Sequence, residues 1–275
     1  MTCSENRRGG ILQGRSVFLS ASVPTRPGFR RPSFAAVEIE EAVVSLARAV
    51  LREEGILVFG AHPSISPLVA SVASEYITPH LRTSEPPDVE EIDQVERRGP
   101  AVVIYQSHAY DRYVPNKTWE LYRLGYAELI WCKAQGGEMF DPALMQAQCP
   151  LSLEFMRKAM IRKERPIAMV AIGGMEGVIA EAELFLSAQQ DRKMRAYKPV
   201  WILETTGGAA EQLGERLIAS RNHLRFVERE WREANPYAIS EPSCEADSRA
   251  EEFVPYPTIL QWLVQQIAKQ PREPR

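Results

Sequence analysis

The stretch IGGMEGVIAE, residues 172–181, has the residue types and spacing of an anion-binding turn. It follows the apolar run IAMVAI and leads into a helical pattern, so it stands where a strand joins a helix. Its three glycines lack the Cβ atoms that would hold a phosphate away from the backbone, and the first amides of a helix have no partner within that helix. The turn therefore predicts ligand binding by Gly173, Gly174, Met175, Glu176 and Gly177.

This turn matches neither of the two common phosphate-binding patterns. No Gly-Lys-Ser/Thr follows it, as it would in a P-loop, and it does not follow the first strand, where the G-x-G-x-x-G dinucleotide fingerprint lies. A tight turn with a purely structural role is the alternative interpretation.

Small or hydrogen-bonding residues also follow two other predicted strands. Ser20 and Ser22 follow the first strand, and Gly60 and His62 follow the second. Because the carboxyl ends of parallel strands meet along one edge of a sheet, we expect these four residues to join the same ligand site. Turn formation by the serines, and capping or packing by His62, are the alternatives.

A repeated order of short apolar strand, loop and helix positions these residues. The strands lack the alternation of half-exposed strands, which is typical of parallel sheets buried on both faces. The pattern predicts an α/β fold of the Rossmann-like kind, with a doubly wound, mostly parallel sheet and helices on both faces. The predicted strands are 16–19, 56–59, 101–105, 128–132, 167–172 and 200–203, and the predicted helices are 33–54, 67–77, 151–164, 178–190 and 209–218.

We expect three parts along the chain. Residues 1–14 are polar and predict a flexible arm. Residues 15–222 carry the strand and helix pattern and predict one nucleotide-binding domain. Residues 223–275 predict a charged connection and then a helix at 258–269, whose apolar side chains dock on the domain or on a second subunit.

Composition narrows the possible functions. The 275 residues are 45% hydrophobic and carry a net charge of −3, which indicates a globular protein without the basic excess of nucleic-acid or membrane-surface binding. No apolar stretch reaches the length of a membrane span, and the first residues do not resemble a signal peptide, so we expect a cytoplasmic protein. The four cysteines lack zinc spacing, and we predict no metal and no cofactor.

The segment from Met156 to about Leu213 resembles the LOG family of nucleoside-monophosphate phosphoribohydrolases. The shared features are a helix with Arg-Lys, a strand, the turn GGMEGVIAE, a strand led by Lys-Pro and a loop before another helix. The wider SLOG superfamily includes ligand-sensing domains of bacterial antiviral systems, and the segments FLSASVP and LVFGAHPSISPLV resemble those members more.

Two residues carry the catalytic role that this resemblance implies. Arg157 and Glu181 match the family pair that binds the ribose-phosphate and stabilises the sugar while the base is cleaved off. The chemistry suits them, because a guanidinium grips phosphate and a carboxylate stabilises a sugar cation. The alternatives are a solvated helix face for Arg157 and an ordinary first-turn acid for Glu181.

Three departures from the family pattern favour binding over catalysis. Ile172 replaces a proline, Glu176 is an extra residue in the glycine turn, and Val178 replaces a threonine. We expect the chain to be a SLOG-type sensor that binds a nucleotide or a nucleotide-derived signal, for example an ADP-ribose-like molecule in antiviral defence. A LOG-like N-glycosidase is the alternative enzyme, and a scaffolding subunit is the third class. The resemblance also implies a homodimer, and the sensor role implies a separately encoded effector.

Overall fold

The computed structural model describes residues 9–29, 35–77, 101–143, 149–190, 198–236 and 254–271. Within them the chain forms a seven-stranded sheet, in the order β4-β3-β2-β1-β5-β6-β7, in which every pair is parallel. The strands are β1 Ser16–Ser22, β2 Ile56–Gly60, β3 Val102–Ser107, β4 Ala127–Cys132, β5 Ala168–Gly173, β6 Val200–Leu203 and β7 Leu224–Phe226. The helices are α1 Ala35–Arg52, α2 Ser66–Tyr76, α3 Asn116–Arg123, α4 Pro150–Glu164, α5 Glu176–Gln190, α6 Gly208–Arg216, α7 Val227–Ala234 and α8 Tyr256–Ala268.

Helices cover both faces of the sheet, as predicted. One core contains side chains of α1, α2, α7 and α8, and the other contains side chains of α4, α5 and α6. Neighbouring residues of β1 point to opposite cores: Val17 and Leu19 belong to the first and Phe18 to the second. This double burial explains why the strands read as unbroken apolar runs, and it confirms the Rossmann-like α/β class.

The order of the strands places a switch point at β1. The chain runs outward from β1 to β4 on one side, then returns to pair β5 with β1 on the other side. The loops after β1 and β5 therefore leave in opposite directions and open a crevice at the carboxyl edge of the sheet.

Helix α1 shows how the sequence determines its packing. Ile39, Val43, Leu46 and Val50 recur along one face, and all four are fully buried. Burying each of them stabilises the fold by roughly 1.5–3 kcal/mol. The predicted cap at Ser33 lies outside the described residues.

The sheet continues past residue 222, where we expected the domain to end. Strand β7 lies at Leu224–Phe226 and pairs with β6, and α7 follows it directly. Helix α8, the predicted terminal helix, packs on α1 of the same chain and buries Ile259, Leu260 and Leu263. Most of the predicted charged connection lies outside the described residues.

The described end of the predicted flexible arm is packed against the domain. Leu12 is fully buried, and its amide donates to the carbonyl of Glu53, 3.1 Å away. The Arg15 guanidinium then donates to the carbonyls of Ala268 and Gln270, at 2.7 and 2.8 Å, which ties the start of β1 to the end of α8. Of the predicted arm, residues 1–8 lie outside the described residues.

Helix α5 begins at Glu176, two residues earlier than predicted. Glu176 and Gly177 are therefore its first two residues and not part of the glycine turn. In the described part of the chain, no helix is both long enough and apolar enough to cross a bilayer.

Candidate functional site

A cleft opens at the switch point, beyond the carboxyl ends of β1, β2, β3 and β5. It consists of two adjoining cavities of about 380 and 820 Å³, which we call the inner half and the outer half. Both halves are lined by His62, Tyr110, Phe140, Arg157 and Glu181, so the two volumes meet along a shared wall.

A polar cluster stands at the junction of the two halves. Glu181 of α5 accepts a hydrogen bond from the Ser20 hydroxyl at 2.5 Å and one from Arg157 Nε at 3.1 Å. The Arg157 and Glu181 side chains are only 16% and 14% exposed, so water screens this ion pair less than it would a surface pair. The structure thus brings together three predicted site residues from β1, α4 and α5, and it fixes the carboxylate in one orientation.

Ser20 supports this cluster and does not line either cavity. It is 1% exposed, and its hydroxyl points to Glu181. Ser22 does line the outer half, and its carbonyl accepts a hydrogen bond from the Gly174 amide at 2.8 Å. The two serines that the sequence singles out together therefore have different roles.

The first turn of α5 forms the wall of the outer half. Met175, Glu176, Gly177 and Val178 line it. A Cβ atom on Gly177 would stand 3.1 Å from Arg157 Nη2, so the missing side chain lets the guanidinium lie over the start of the helix. A positive charge and the positive end of the helix dipole thus face the same space.

The amides of the turn divide into two groups. Gly173 donates to Thr206 Oγ1 at 2.8 Å, and Gly174 donates to the Ser22 carbonyl. In contrast, no acceptor among the described residues bonds the amides of Met175, Glu176 or Gly177. The amides that remain available to bind an anion are therefore those of Met175 and of the first two residues of α5, a smaller set than the whole turn that we expected.

Gly173 and Gly174 lie behind the cleft wall and do not line it. A Cβ atom on Gly173 would stand 2.4 Å from Ile39 Cδ1, and one on Gly174 would stand 2.2 Å from Val178 Cγ2. Packing within the protein requires glycine at both positions, whereas we predicted from the sequence that these glycines make room for a ligand.

Glu176, the extra residue that departs from the family pattern, does not crowd the glycine turn. Its carboxylate pairs with Arg26 at 2.7 Å, and both side chains are about half exposed. The pair stands at the rim of the outer half, which both residues line. Glu176 therefore places no uncompensated charge beside the free amides.

His62 presents a hydrogen-bond donor to the cleft. Its Nδ1 accepts from the Ser64 amide at 3.2 Å and lies 2.8 Å from the Ser64 hydroxyl. Burial lowers the pKa of His62, so the ring is neutral at physiological pH. These bonds assign the proton to Nε2, for which the described residues offer no acceptor.

Gly60 lines the inner half beside His62. A Cβ atom there would stand 3.5 Å from Met156 Cε, which is an ordinary contact, so packing does not require glycine at this position.

Aromatic rings that we did not predict as site residues run from the junction of the two halves into the inner half: Tyr110 and Phe140 line both halves, and Tyr113 lines the inner half. Tyr110 stacks on Phe140 with centroids 4.8 Å apart, and Tyr113 meets the edge of Phe140 at 4.9 Å. Burial raises the pKa of Tyr110 above its usual range, so its phenol stays protonated. Gln106, near the end of β3, lines the inner half together with these rings and with Ser107.

Two of the four cysteines lie in the described residues, and both Cys132 and Cys149 are buried free thiols. Those same parts of the chain contain no group of three His, Cys, Asp or Glu side chains arranged to hold a metal.

Comparisons with known proteins give one family and one solved structure to report. The model of the SLOG cluster3 family matches residues 89–228. The X-ray structure of TM1055, from a structural genomics consortium, is 15% identical, covers 77% of this chain and 90% of its own, and has a TM-score of 0.42. No curated protein matches the chain. Since the family model spans just over half of the sequence and includes the turn and the Arg157–Glu181 pair, the protein belongs to the SLOG cluster3 family.

Proposed function

We propose that the cleft binds a nucleotide or a nucleotide derivative and that the chain acts as a SLOG-type sensor of that ligand. One observation carries the proposal: free amides lie in the outer half, a guanidinium, a carboxylate and two stacked aromatic rings meet at the junction of the two halves, and a third ring lies in the inner half. This order of groups suits the phosphate, sugar and base of one nucleotide. An ADP-ribose-like signal is one member of this class.

The outer half supports the phosphate assignment. The residues that carry the free amides, Met175, Glu176 and Gly177, line it, and Arg157 lies over the same turn. Helix N-termini bind anions through such amides, and a guanidinium adds charge-assisted hydrogen bonds. A phosphate bound there would also complete the guanidinium's contacts, because Glu181 uses only its Nε.

The acidic side chains of the outer half limit how much negative charge the ligand carries. Glu176 is paired with Arg26, and Glu154 is paired with Lys158 on the same helix. Glu183 also lines the cavity and has no basic partner among the described residues. These charges favour a ligand with one or two phosphates over a triphosphate.

The middle and the inner half support the sugar and base assignments. The fixed Glu181 carboxylate can accept from a ribose hydroxyl, and the His62 Nε2–H can donate to one. Tyr110, Tyr113 and Phe140 offer aromatic surface for a base, and base–aromatic stacking contributes about 1–3 kcal/mol.

Calorimetry tests this function with AMP, ADP, ADP-ribose and a cyclic dinucleotide. We expect at least one to bind, and we expect Arg157→Ala to weaken that binding roughly tenfold, the effect of losing a hydrogen bond to a charged group. Arg162→Ala is the matched control, because Arg162 is an exposed arginine on the same helix. Absence of binding to all four by folded protein would contradict the proposal.

The sensor role brings further proposals. We propose a homodimer that works in the cytoplasm and passes its signal to a separately encoded effector in antiviral defence. Light scattering after size-exclusion chromatography measures the oligomeric state with and without the bound nucleotide. A monomer under both conditions would remove the homodimer.

A second candidate function is cleavage of an N-glycosidic bond. The observation in its favour is that Ser20 and Arg157 hold Glu181 between the two ends of the cleft, where a sugar cation would form. The bond from C1′ to the base would break with its electron pair leaving on the base nitrogen, and the carboxylate would stabilise the sugar cation that remains. Water would then add to C1′, and the proton that it loses would pass to the departing base, which gives ribose 5-phosphate and free base. Chromatography of AMP incubated with the protein should then show free adenine, and Glu181→Gln should abolish it. Unchanged turnover in that variant would show that Glu181 is not the catalytic group.

A further inference from the structure

Gln106 is a buried polar side chain in the wall of the inner half. It is the fifth residue of β3, is only 5% exposed, and lines the cavity beside Tyr110 and Phe140. A fully buried polar atom without a hydrogen-bond partner costs about 1–3 kcal/mol. Among the described residues Trp201 Nε1 is the one side-chain atom in that position, so an unpaired Gln106 oxygen is open to the cavity and available to a ligand.

The orientation of this carboxamide follows from its neighbours. Its Nε2 lies 3.4 Å from the carbonyl oxygen of Ser107 and 3.4 Å from that of Tyr110. Both neighbours are acceptors, so the reversed orientation would bring three oxygens together. The carboxamide nitrogen of Gln106 therefore faces the backbone carbonyls, and these contacts do not involve its Oε1.

Among the described residues, none donates a hydrogen bond to Gln106 Oε1. The aromatic rings that line the same cavity provide surface for a planar group. A ligand that fills the inner half can supply the missing donor, and it must do so close to the Ser107 and Tyr110 carbonyls.

We infer that Gln106 determines which base the cleft accepts, by taking a hydrogen bond from an exocyclic amino group. This inference rests on the proposed nucleotide function and deepens it. An amino group projects from the rim of a base and carries only donors. A ring imide, by contrast, is flanked by carbonyl oxygens, which would approach Oε1 and the two backbone carbonyls. Bases with an amino group on their edge are thus selected over bases without one.

The test compares nucleotides that differ by one amino group. The pairs are AMP with purine riboside 5′-monophosphate, CMP with pyrimidin-2-one riboside 5′-monophosphate, and GMP with IMP. In the pair that contains the tightest binder, we expect the amino compound to bind about fivefold or more tightly, as measured by calorimetry. Gln106→Met keeps the length of the side chain and removes the acceptor, so it should reduce that ratio to below about twofold. Gln265→Met, at an exposed position of α8, should leave it unchanged.

The outcomes separate this inference from the function on which it rests. A ratio below twofold in the wild-type protein, or a ratio that survives Gln106→Met, overturns the role of Gln106 while nucleotide binding stands. If none of the six monophosphates binds but ADP-ribose does, the amino-group inference falls and the proposed function remains. If no nucleotide binds at all, both fall.

Discussion

Two glycine pairs lie in neighbouring turns of the sheet edge, Gly173–Gly174 after β5 and Gly207–Gly208 after β6. Gly174 and Gly208 both have positive φ, 86° and 62°. They also lie against each other, because the Ala209 amide donates to the Gly174 carbonyl at 2.9 Å. Only the first pair leads into residues that line the cleft, since α5 continues from it along the outer half.

The difference shows what glycine-rich turns in this protein do. Both pairs allow two loops to pack without side chains between them, and this role is structural. The proposed ligand contacts start one residue later, at the free amides of Met175 and of the first residues of α5. The comparison separates the conformational need for glycine from the proposed binding role, and three glycine substitutions test that separation.

The largest effect is expected from Gly208→Ala. The new Cβ would stand 2.6 Å from the Gly174 carbonyl oxygen, a backbone atom that cannot move away, and the residue would have positive φ. Strain and crowding together should lower the free energy of unfolding by about 3 kcal/mol. Denaturant unfolding measures this, with Gly28→Ala as control because no atom lies within 4 Å of the Cβ added there. Equal stability of the two variants would contradict the packing role.

Gly174→Ala should cost less, about 2 kcal/mol, because its Cβ would meet a side chain, Val178 Cγ2, at 2.2 Å. The same substitution in a Val178→Ala background loses the 2.2 Å contact and keeps only the Cβ of residue 178 at 3.0 Å, so its cost should fall toward the positive-φ strain of about 1 kcal/mol. A double-mutant cycle measured by urea unfolding gives both values. No coupling between the two positions would mean that Val178 does not set the requirement for glycine.

A pH-dependent effect of intermediate size is expected at the loop after β6. Glu228 is 4% exposed and accepts hydrogen bonds from the Thr205 amide and hydroxyl, at 3.2 and 2.7 Å. Burial raises the pKa of Glu228 above its ordinary value of 4.5. Between the unfolded and the folded pKa the unfolded chain binds fewer protons, so the stability contributed by the protonated group is lost as pH rises.

Unfolding of the wild type and of Glu228→Gln at pH values from about 4 to 8 measures this contribution. The wild type should lose stability relative to the variant as pH rises from 4.5 through the folded pKa. A relative gain would mean that the hydrogen bonds to the carboxylate outweigh its burial.

The smallest effect on stability is expected at the third glycine of the same segment. Gly177 is helical, so Gly177→Ala should change the free energy of unfolding by less than about 1 kcal/mol, in the stabilising direction. Its Cβ would nevertheless displace the Arg157 guanidinium, and we expect nucleotide affinity to fall roughly threefold to tenfold. Unfolding and calorimetry on one preparation measure both. Unchanged affinity would remove Gly177 from the binding role.

Most of the sheet could be predicted because buried parallel strands are continuous apolar runs between turn residues. Strand β7 was not predicted, since it has three residues and includes the exposed Arg225. Helix α3 was not predicted either, because only Thr118 and Leu121 are buried along it. Short elements at the sheet margins carry too little apolar periodicity to stand out.

Only those parts of the site whose residues lie close together in the sequence could be predicted. The turn after β5 and the Arg157–Glu181 pair belong to one segment, and their spacing is visible in the sequence. The aromatic wall of the inner half was missed because it unites Tyr110, which follows β3, with Phe140, which lies in an irregular segment about 30 residues later. Tertiary structure alone brings those residues together.

The hydrogen bonds from the Arg15 guanidinium to the carbonyls of Ala268 and Gln270 have a practical consequence for engineering. They join the residue just before β1 to the end of α8 at the amino edge of the sheet, whereas the cleft opens at the opposite edge. A fluorescent reporter or a circular permutation that links these two ends would therefore sit away from the mouth of the cleft and leave ligand entry unobstructed.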